Sequence, residues 1–216
     1  EKMQLPTGWG VEQQITCVDG STFQMYMANM KSIFMDMIKN TDMVIFNRCK
    51  KEDPLPTYRR GIKVANQRAE VIFEDEEGEL GDIFQDEMPF DMNAPVIEIL
   101  PEDYGIWFVD AMDHPENYEG KTVKFKARVM KPRGMGSKFF VPGRTAMTCC
   151  ADDTTFLGYV CKSAYAPKLT PGEWVEVTAK VGIEKRNEYQ GEEGIVLSAE
   201  HVEQCDPLED EMVYFN

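Results

Sequence analysis

Apolar positions repeat in two different ways along the chain. Between Phe23 and Ile38 they recur every three or four residues, at Phe23, Tyr26, Met27, Met30, Ile33, Phe34, Met37 and Ile38. That period predicts an amphipathic helix over about 22–40, with Ser21 or Thr22 as N-cap and Asn40-Thr41-Asp42 closing it. The flanks change character. Gln14 to Val18 alternates and meets Asp19-Gly20, a short strand running into a turn, and Met43-Val44-Ile45-Phe46 reads as a buried strand. Lys50 to Arg60, with Pro54 and Pro56, reads as a loop. Gly61 to Phe73 reads as one long or bent strand, or as a hairpin around Asn66-Gln67. The acidic run Glu74 to Glu79 lacks the residue order of a calcium loop and suits a solvated turn. Gln85 to Pro95 is the expected linker.

Past Pro95 the period falls from about 3.6 to two. Val96 to Leu100 is a strand, and Pro101-Glu102-Asp103 opens a short helix that His114-Pro115 ends near Asp113. Val123, Phe125, Ala127 and Val129 form one face of a long strand. Phe139–Cys150, Thr155–Cys161, Trp174–Val181 (Val175, Val177, Ala179 and Val181 inward) and Ile195–Val202 follow. Five such strands predict a small closed barrel of the OB type. The fold class is therefore α+β, mainly β. It has an N-terminal α+β domain over 1–95 and a C-terminal OB-like five-stranded barrel over 96–216. Both halves run strand, amphipathic helix, buried strand, loop and a strand entered by Arg (Arg68, Arg144). This faint repeat makes the N-terminal domain a candidate related barrel.

Charge narrows the partners. The formal net charge is −15, with 10 basic and 17 acidic residues up to Pro95 and 13 and 21 after it. A surface so acidic in both halves repels phosphate backbones and anionic membranes, so nucleic-acid binding is not expected. No apolar run approaches the ~20 residues of a membrane span, so direct membrane insertion by this chain is not expected either. Glu1 in first position suits a processed or trimmed chain, with any leader or anchor ahead of it.

The unusual chemistry lies in Arg144 to Asp153, R-T-A-M-T-C-C-A-D-D. Adjacent side chains on a strand point to opposite faces, so Cys149 and Cys150 cannot both be core. With only two histidines in the chain, a metal site must lean on thiolates and carboxylates. Cys149, Cys150 and Asp152 are the candidate ligands, a set that suits Zn, with Cys161, His201 or Cys205 available to complete it. Arg144 and Asp153 are supporting residues: Arg144 facing Asp152 or Asp153 would form an ion pair or lower a neighbouring thiol pKa. A four-residue turn after Cys150 sets Cys149 opposite Phe156 and Arg144 opposite Cys161, which takes a Cys149–Cys161 disulfide out of register. A vicinal disulfide and two plain packed cysteines are the alternatives. The Met spacings of the first helix are those of soft-metal ligands, but helical period accounts for most of them as core. No catalytic residues are assigned: there is no C-x-x-C, no G-x-G-x-x-G, no P-loop and no Ser/His/Asp order.

The order V-I-E-I-L, helix, N-Y-E-G-K-T-V-K-F-K-A-R-V, F-F-V-P-G-R-T-A-M-T-C-C-A-D-D, G-E-W-V-E-V-T-A-K-V and M-V-Y-F-N resembles the bacterial predicted membrane proteins that carry domain of unknown function 1980. The resemblance spans about residues 96–216. It implies a permease subunit with N-terminal membrane helices and a soluble part, paired with a multi-span permease and linked to zinc homeostasis. Cys149, Cys150 and Asp152 match the signature. The chain departs from that pattern by lacking a membrane segment, by Asp153 where Ala is commoner, and by its extra N-terminal half. A secreted or anchored, extracytoplasmic relative would fit. The expected function is that of a non-enzymatic binding or accessory protein. The alternative is a thiol-dependent redox protein using Cys149 and Cys150.

Overall fold

The structure is a computed structural model. It describes residues 6–81, 88–150 and 153–214, without the side chains of Cys149 and Cys150. The chain divides into two compact units, 1–85 and 86–216.

The first unit alternates strand and helix: β1 (Ile15–Asp19), α1 (Gly20–Ile38), β2 (Met43–Asn47), α2 (Leu55–Ala65) and β3 (Glu70–Phe73). Each helical crossover returns the chain in the same direction, so the three strands pair in parallel in the order β1-β2-β3. Phe23 of α1 meets Phe46 of β2 and Tyr58 of α2 edge-on, at 4.9 and 4.5 Å between ring centroids, and Phe46 stacks on Phe73 of β3 at 4.8 Å. The Asn66 amide donates to the carbonyls of Ile38 and Thr41, tying the end of α2 to the end of α1.

This parallel sheet overturns three expectations for the first half. It is not a barrel, so the apparent repeat is one of element order alone. Residues 55–65 are helical, not loop and strand: Pro56 sits in the first turn, where its missing N–H costs nothing, and Leu55, Tyr58 and Ile62 all face the core. The N-cap of α1 is Asp19, whose carboxylate accepts from the Ser21 N–H at 3.0 Å. The stripe of α1 is also wider than the core needs. Phe23, Met35 and Ile38 are buried, whereas Tyr26, Met30, Ile33 and Met37 are exposed and line an apolar groove of 250 Å³ against β1. Helical dihedrals break at Met30. The run Glu74–Glu79 is the expected turn, with the Asp75 carboxylate accepting from the N–H groups of Glu77 and Gly78.

The second unit contains β4 (Ile97–Glu98), α3 (Tyr104–Asp113), β5 (Thr122–Met130), β6 (Phe139–Cys150), β7 (Asp153–Gly158), β8 (Val160–Lys162), β9 (Trp174–Lys185), β10 (Glu193–Gln204) and β11 (Met212–Val213). The pairs β5–β6, β6–β8, β8–β10, β10–β9 and β9–β5 close a five-stranded barrel, with β8–β10 the parallel contact. That is the predicted OB-like architecture. The alternation in β5 and β9 sends Val123, Phe125, Ala127 and Val129, and Val175, Val177, Ala179 and Val181, inward, each at most 3 % exposed. Each valine so buried contributes roughly 1.5–3 kcal/mol.

Helix α3 is fastened to the barrel by aromatics. Trp107 packs on Phe125 and Tyr159 at 4.8 and 5.6 Å. The Tyr104 hydroxyl donates to the Leu157 carbonyl at 3.0 Å, and the Tyr159 hydroxyl to the Phe108 carbonyl. Burial pushes the buried tyrosines of this unit, Tyr104, Tyr118 and Tyr159, above the ordinary phenol range, so they stay neutral donors.

Candidate functional site

The signature stretch is the second half of β6, and its position follows from how β6 divides its partners. Residues 139–143 belong to the barrel, paired with β8 and β5. Residues 143–150 pair with β7. At the junction Gly143 faces Gly158, and neither has room for a side chain. A Cβ on Gly143 would lie 2.4 Å from both the Leu157 carbonyl oxygen and the Phe156 ring, and one on Gly158 would lie 2.7 Å from the Pro142 carbonyl oxygen. After β11 pairs with Thr145 and Ala146, β6 keeps β7 as its partner, and the two strands continue as a ribbon. The ribbon ends with Cys150 opposite Asp153. The register shifts between Met147 and Cys150, so Thr148 and Cys149 are unmatched on the other strand. The Thr148 hydroxyl donates to the Asp153 carbonyl at 2.7 Å and holds this irregular end together.

The register corrects two expected pairings. Arg144 lies opposite Leu157, not Cys161, and Phe156 lies opposite Thr145, not Cys149. β7 starts at Asp153, two residues earlier than expected, and the bulge at Thr148 and Cys149 shifts the register by two more; neither is visible as a periodic signal. Cys161 sits on β8 opposite Phe140 and beside Leu197. It is free and fully buried, and burial pushes its thiol up to about 12.

Among the described residues, Arg144 turns its guanidinium to backbone carbonyls. It is 2 % exposed, and its guanidinium donates to three backbone carbonyls, those of Pro101, Asp210 (3.0 Å) and Met212 (3.0 Å). Its carbon Cζ lies 5.6 Å from the centre of the Tyr104 ring. Burial lowers its pKa, while the nearby Tyr104, Asp210 and Glu102 oppose that shift. The planar fork joins the segment before α3 and the C-terminal β11 to the base of the ribbon, a positioning task that suits Arg and not Lys.

Of the remaining candidates, His201 is exposed on β10, with Nε2 3.2 Å from Glu203, beside a register shift between Ala199 and His201. Cys205 is half-buried, Cys17 exposed and Cys49 buried, all with free thiols. Burial, with smaller contributions from Asp53, Asp19 and Asp75, pushes Cys49 up to about 11. Asp152 and the side chains of Cys149 and Cys150 lie outside the described residues. Among the described residues, no three His, Cys, Asp or Glu side chains lie close enough to hold a metal ion.

One feature of the second unit carries no sequence motif. The β5–β6 loop (131–138) and the β9–β10 loop (186–192) border a cleft of 570 Å³ lined by Arg133, Met135, Phe139, Lys185, Arg186 and Glu188, among others. Arg186 spans it, with Cζ 4.3 Å from the Phe139 ring centre and the Glu188 carboxylate bidentate at 2.9 and 3.2 Å. The available sequence signal was the Gly- and cation-rich run Lys131 to Lys138.

Comparison with known proteins adds a family. No curated protein matches the chain significantly. The mitochondrial single-stranded DNA binding protein Rim1 from S. cerevisiae aligns with 40 % of this chain and 95 % of its own, at 10 % identity and a TM-score of 0.24. An aspartyl tRNA synthetase from Entamoeba histolytica aligns over 55 % of this chain and 27 % of its own, at 15 % identity and a TM-score of 0.28. The family described as DUF1980 C-terminal domain matches residues 79–215. That match takes in more than half of the 216 residues and the whole barrel, ribbon included, so the chain belongs to the DUF1980 C-terminal domain family.

Proposed function

We propose that the chain is a non-enzymatic, extracytoplasmic binding or accessory module. Its barrel holds out the Cys149–Cys150 end of the β6–β7 ribbon as a metal-binding tip. The observation that supports this is the ribbon itself: β6 and β7 run past the barrel and end with Thr148 and Cys149 unmatched and Cys150 opposite Asp153. Two thiolates and the Asp152 carboxylate are a donor set that suits Zn²⁺, with a fourth position left for water or a partner's ligand. The resemblance to permease-associated membrane proteins supplies the context, a metal-handling system in which a membrane permease is the partner. No helix among the described residues is long and apolar enough to cross a membrane, so attachment would come through the partner or through another segment.

The redox alternative is disfavoured by Cys161, the cysteine that follows next in sequence. Its buried thiol, raised to about 12, is almost entirely protonated at neutral pH and makes a poor resolving nucleophile.

The test is metal analysis of purified protein with and without Cys149→Ser and Cys150→Ser. About one zinc per chain, lost in either variant, is expected for such a site. Equal metal content in parent and variants would sink it.

A further inference from the structure

The cleft between the β5–β6 and β9–β10 loops is remote in sequence from Cys149 and Cys150. Its lining carries Arg133, Lys185 and Arg186 against a single carboxylate, Glu188, a local charge of +3 − 1 = +2 on a chain whose formal net charge is −15. A reversal of sign so localised focuses positive potential in one concavity. Arg186 is already committed: Glu188 grips it in a fork, Glu184 lies 3.9 Å from it, and Phe139 stacks beneath it. Arg133 and Lys185 form no ion pair among the described residues, although the protein as a whole has carboxylates in excess. They approach from opposite sides, Arg133 from the β5–β6 loop and Lys185 from the end of β9. The β5–β6 side between them is built from Gly134 and Gly136, where backbone N–H groups can come close to a ligand. Gly134 has φ +86 with nothing within 4 Å of its missing Cβ.

We infer that this cleft binds a small multivalent anion, a phosphate ester or polycarboxylate, between Arg133 and Lys185. Size and charge together favour a small ligand over a polymer. A volume of 570 Å³ lies within the range of small-molecule sites, roughly 300–1,000 Å³. A nucleic acid running out of the cleft would meet a surface carrying the remaining negative charge, with few lysines and arginines to replace its counterions. The Arg186–Glu188 pair acts as a gate on affinity, because Glu188 neutralises the third cation until a ligand competes for it.

The experiment is titration of the full chain with pyrophosphate, citrate and a ten-nucleotide oligothymidylate at low salt, followed by backbone amide chemical shifts. Saturable shifts confined to residues 133–136 and 185–188 are expected with pyrophosphate or citrate, and whichever binds more tightly identifies the class. Arg133→Ser with Lys185→Ser should weaken binding at least about tenfold, the loss of two charge-assisted hydrogen bonds. Glu188→Gln should tighten it severalfold by releasing Arg186, a gain that a merely structural loop would not show. All three positions are on loops or at a strand end, and an unchanged amide spectrum elsewhere verifies the fold. Shifts that survive the double substitution, no saturable shifts with either small anion, or tighter binding of the oligonucleotide would each overturn the inference.

Discussion

Replacing Gly143 by Ala tests whether the β6–β7 junction is as tight as its geometry. The added methyl would meet the Leu157 carbonyl oxygen and the Phe156 ring at 2.4 Å. An ordinary carbon contact needs about 3.4 Å or more, so the strands must part by about 1 Å at the point where β6 leaves the barrel. The nearest obstacles are a backbone oxygen and an aromatic ring packed in register, and neither is the free end of a flexible side chain. Overpacking of this kind costs about 1–3 kcal/mol or more, against a gain of roughly 0.5–1 kcal/mol from a stiffer unfolded chain. A net loss of about 2 kcal/mol should lower the melting temperature by roughly 4–8 °C for a chain of this size. Gly182 supplies an internal control, because a Cβ there would lie 3.7 Å from the Val196 carbonyl oxygen, an ordinary contact. Urea titration of Gly143→Ala and Gly182→Ala, monitored by the fluorescence of Trp107 on α3 and Trp174 on β9, compares them directly. If Gly143→Ala proves no more costly than Gly182→Ala, the junction is not the close approach described here.

Further outcomes follow from the buried polar groups. Arg144→Met removes three charge-assisted hydrogen bonds while restoring apolar volume; with burial of the guanidinium itself costly, a net loss of about 2–4 kcal/mol is expected, and Arg144→Lys should not rescue it. Amide exchange at Val213 of β11 should rise in both variants, and unchanged protection there would refute the clamp. Alkylation at pH 8 should label Cys17 and spare Cys49 and Cys161, read by peptide mass spectrometry; modification of Cys161 in the native protein would contradict its burial. The raised thiols also set a pH dependence. Stability from keeping Cys49 and Cys161 protonated is complete below their ordinary value of 9.0 and is lost as pH rises toward about 11 and 12. Urea midpoints should therefore fall above pH 9, and Cys161→Ala should make that fall shallower; an unchanged slope would remove Cys161 from the account.

The barrel was legible because its chemistry is local. Strict alternation in β5 and β9 sorts Val, Phe and Ala to one side, and no other element satisfies that period. Helix α2 was missed because Pro54, Pro56 and Gly61 look like breakers when counted, although Pro56 in a first turn is a start signal and Leu55, Tyr58 and Ile62 already have helical spacing. For α1 the period predicted a helix but not how much of its apolar circumference the core would cover, which depends on the width of a three-stranded sheet. The partners that Arg144 has among the described residues were not legible for a different reason. In sequence it stands near Asp152 and Asp153, whereas its acceptors are carbonyls, which every residue carries and no pattern marks.

Those acceptors lie 43 residues before Arg144 and 66 and 68 residues after it. On the ribosome the guanidinium can reach Pro101 early, but Asp210 and Met212 are made 66 and 68 residues after it. Until they emerge, burying this charge would leave it without most of its partners, a cost that keeps the base of the ribbon open. Closure of the second unit thus waits for Asp210 and Met212 to emerge, while the first unit, whose strands and helices contact near neighbours in sequence, is free to fold well before. A nascent chain stalled before Asp210 should carry a folded first unit and a protease-sensitive ribbon, with resistance appearing once Asp210 and Met212 have emerged.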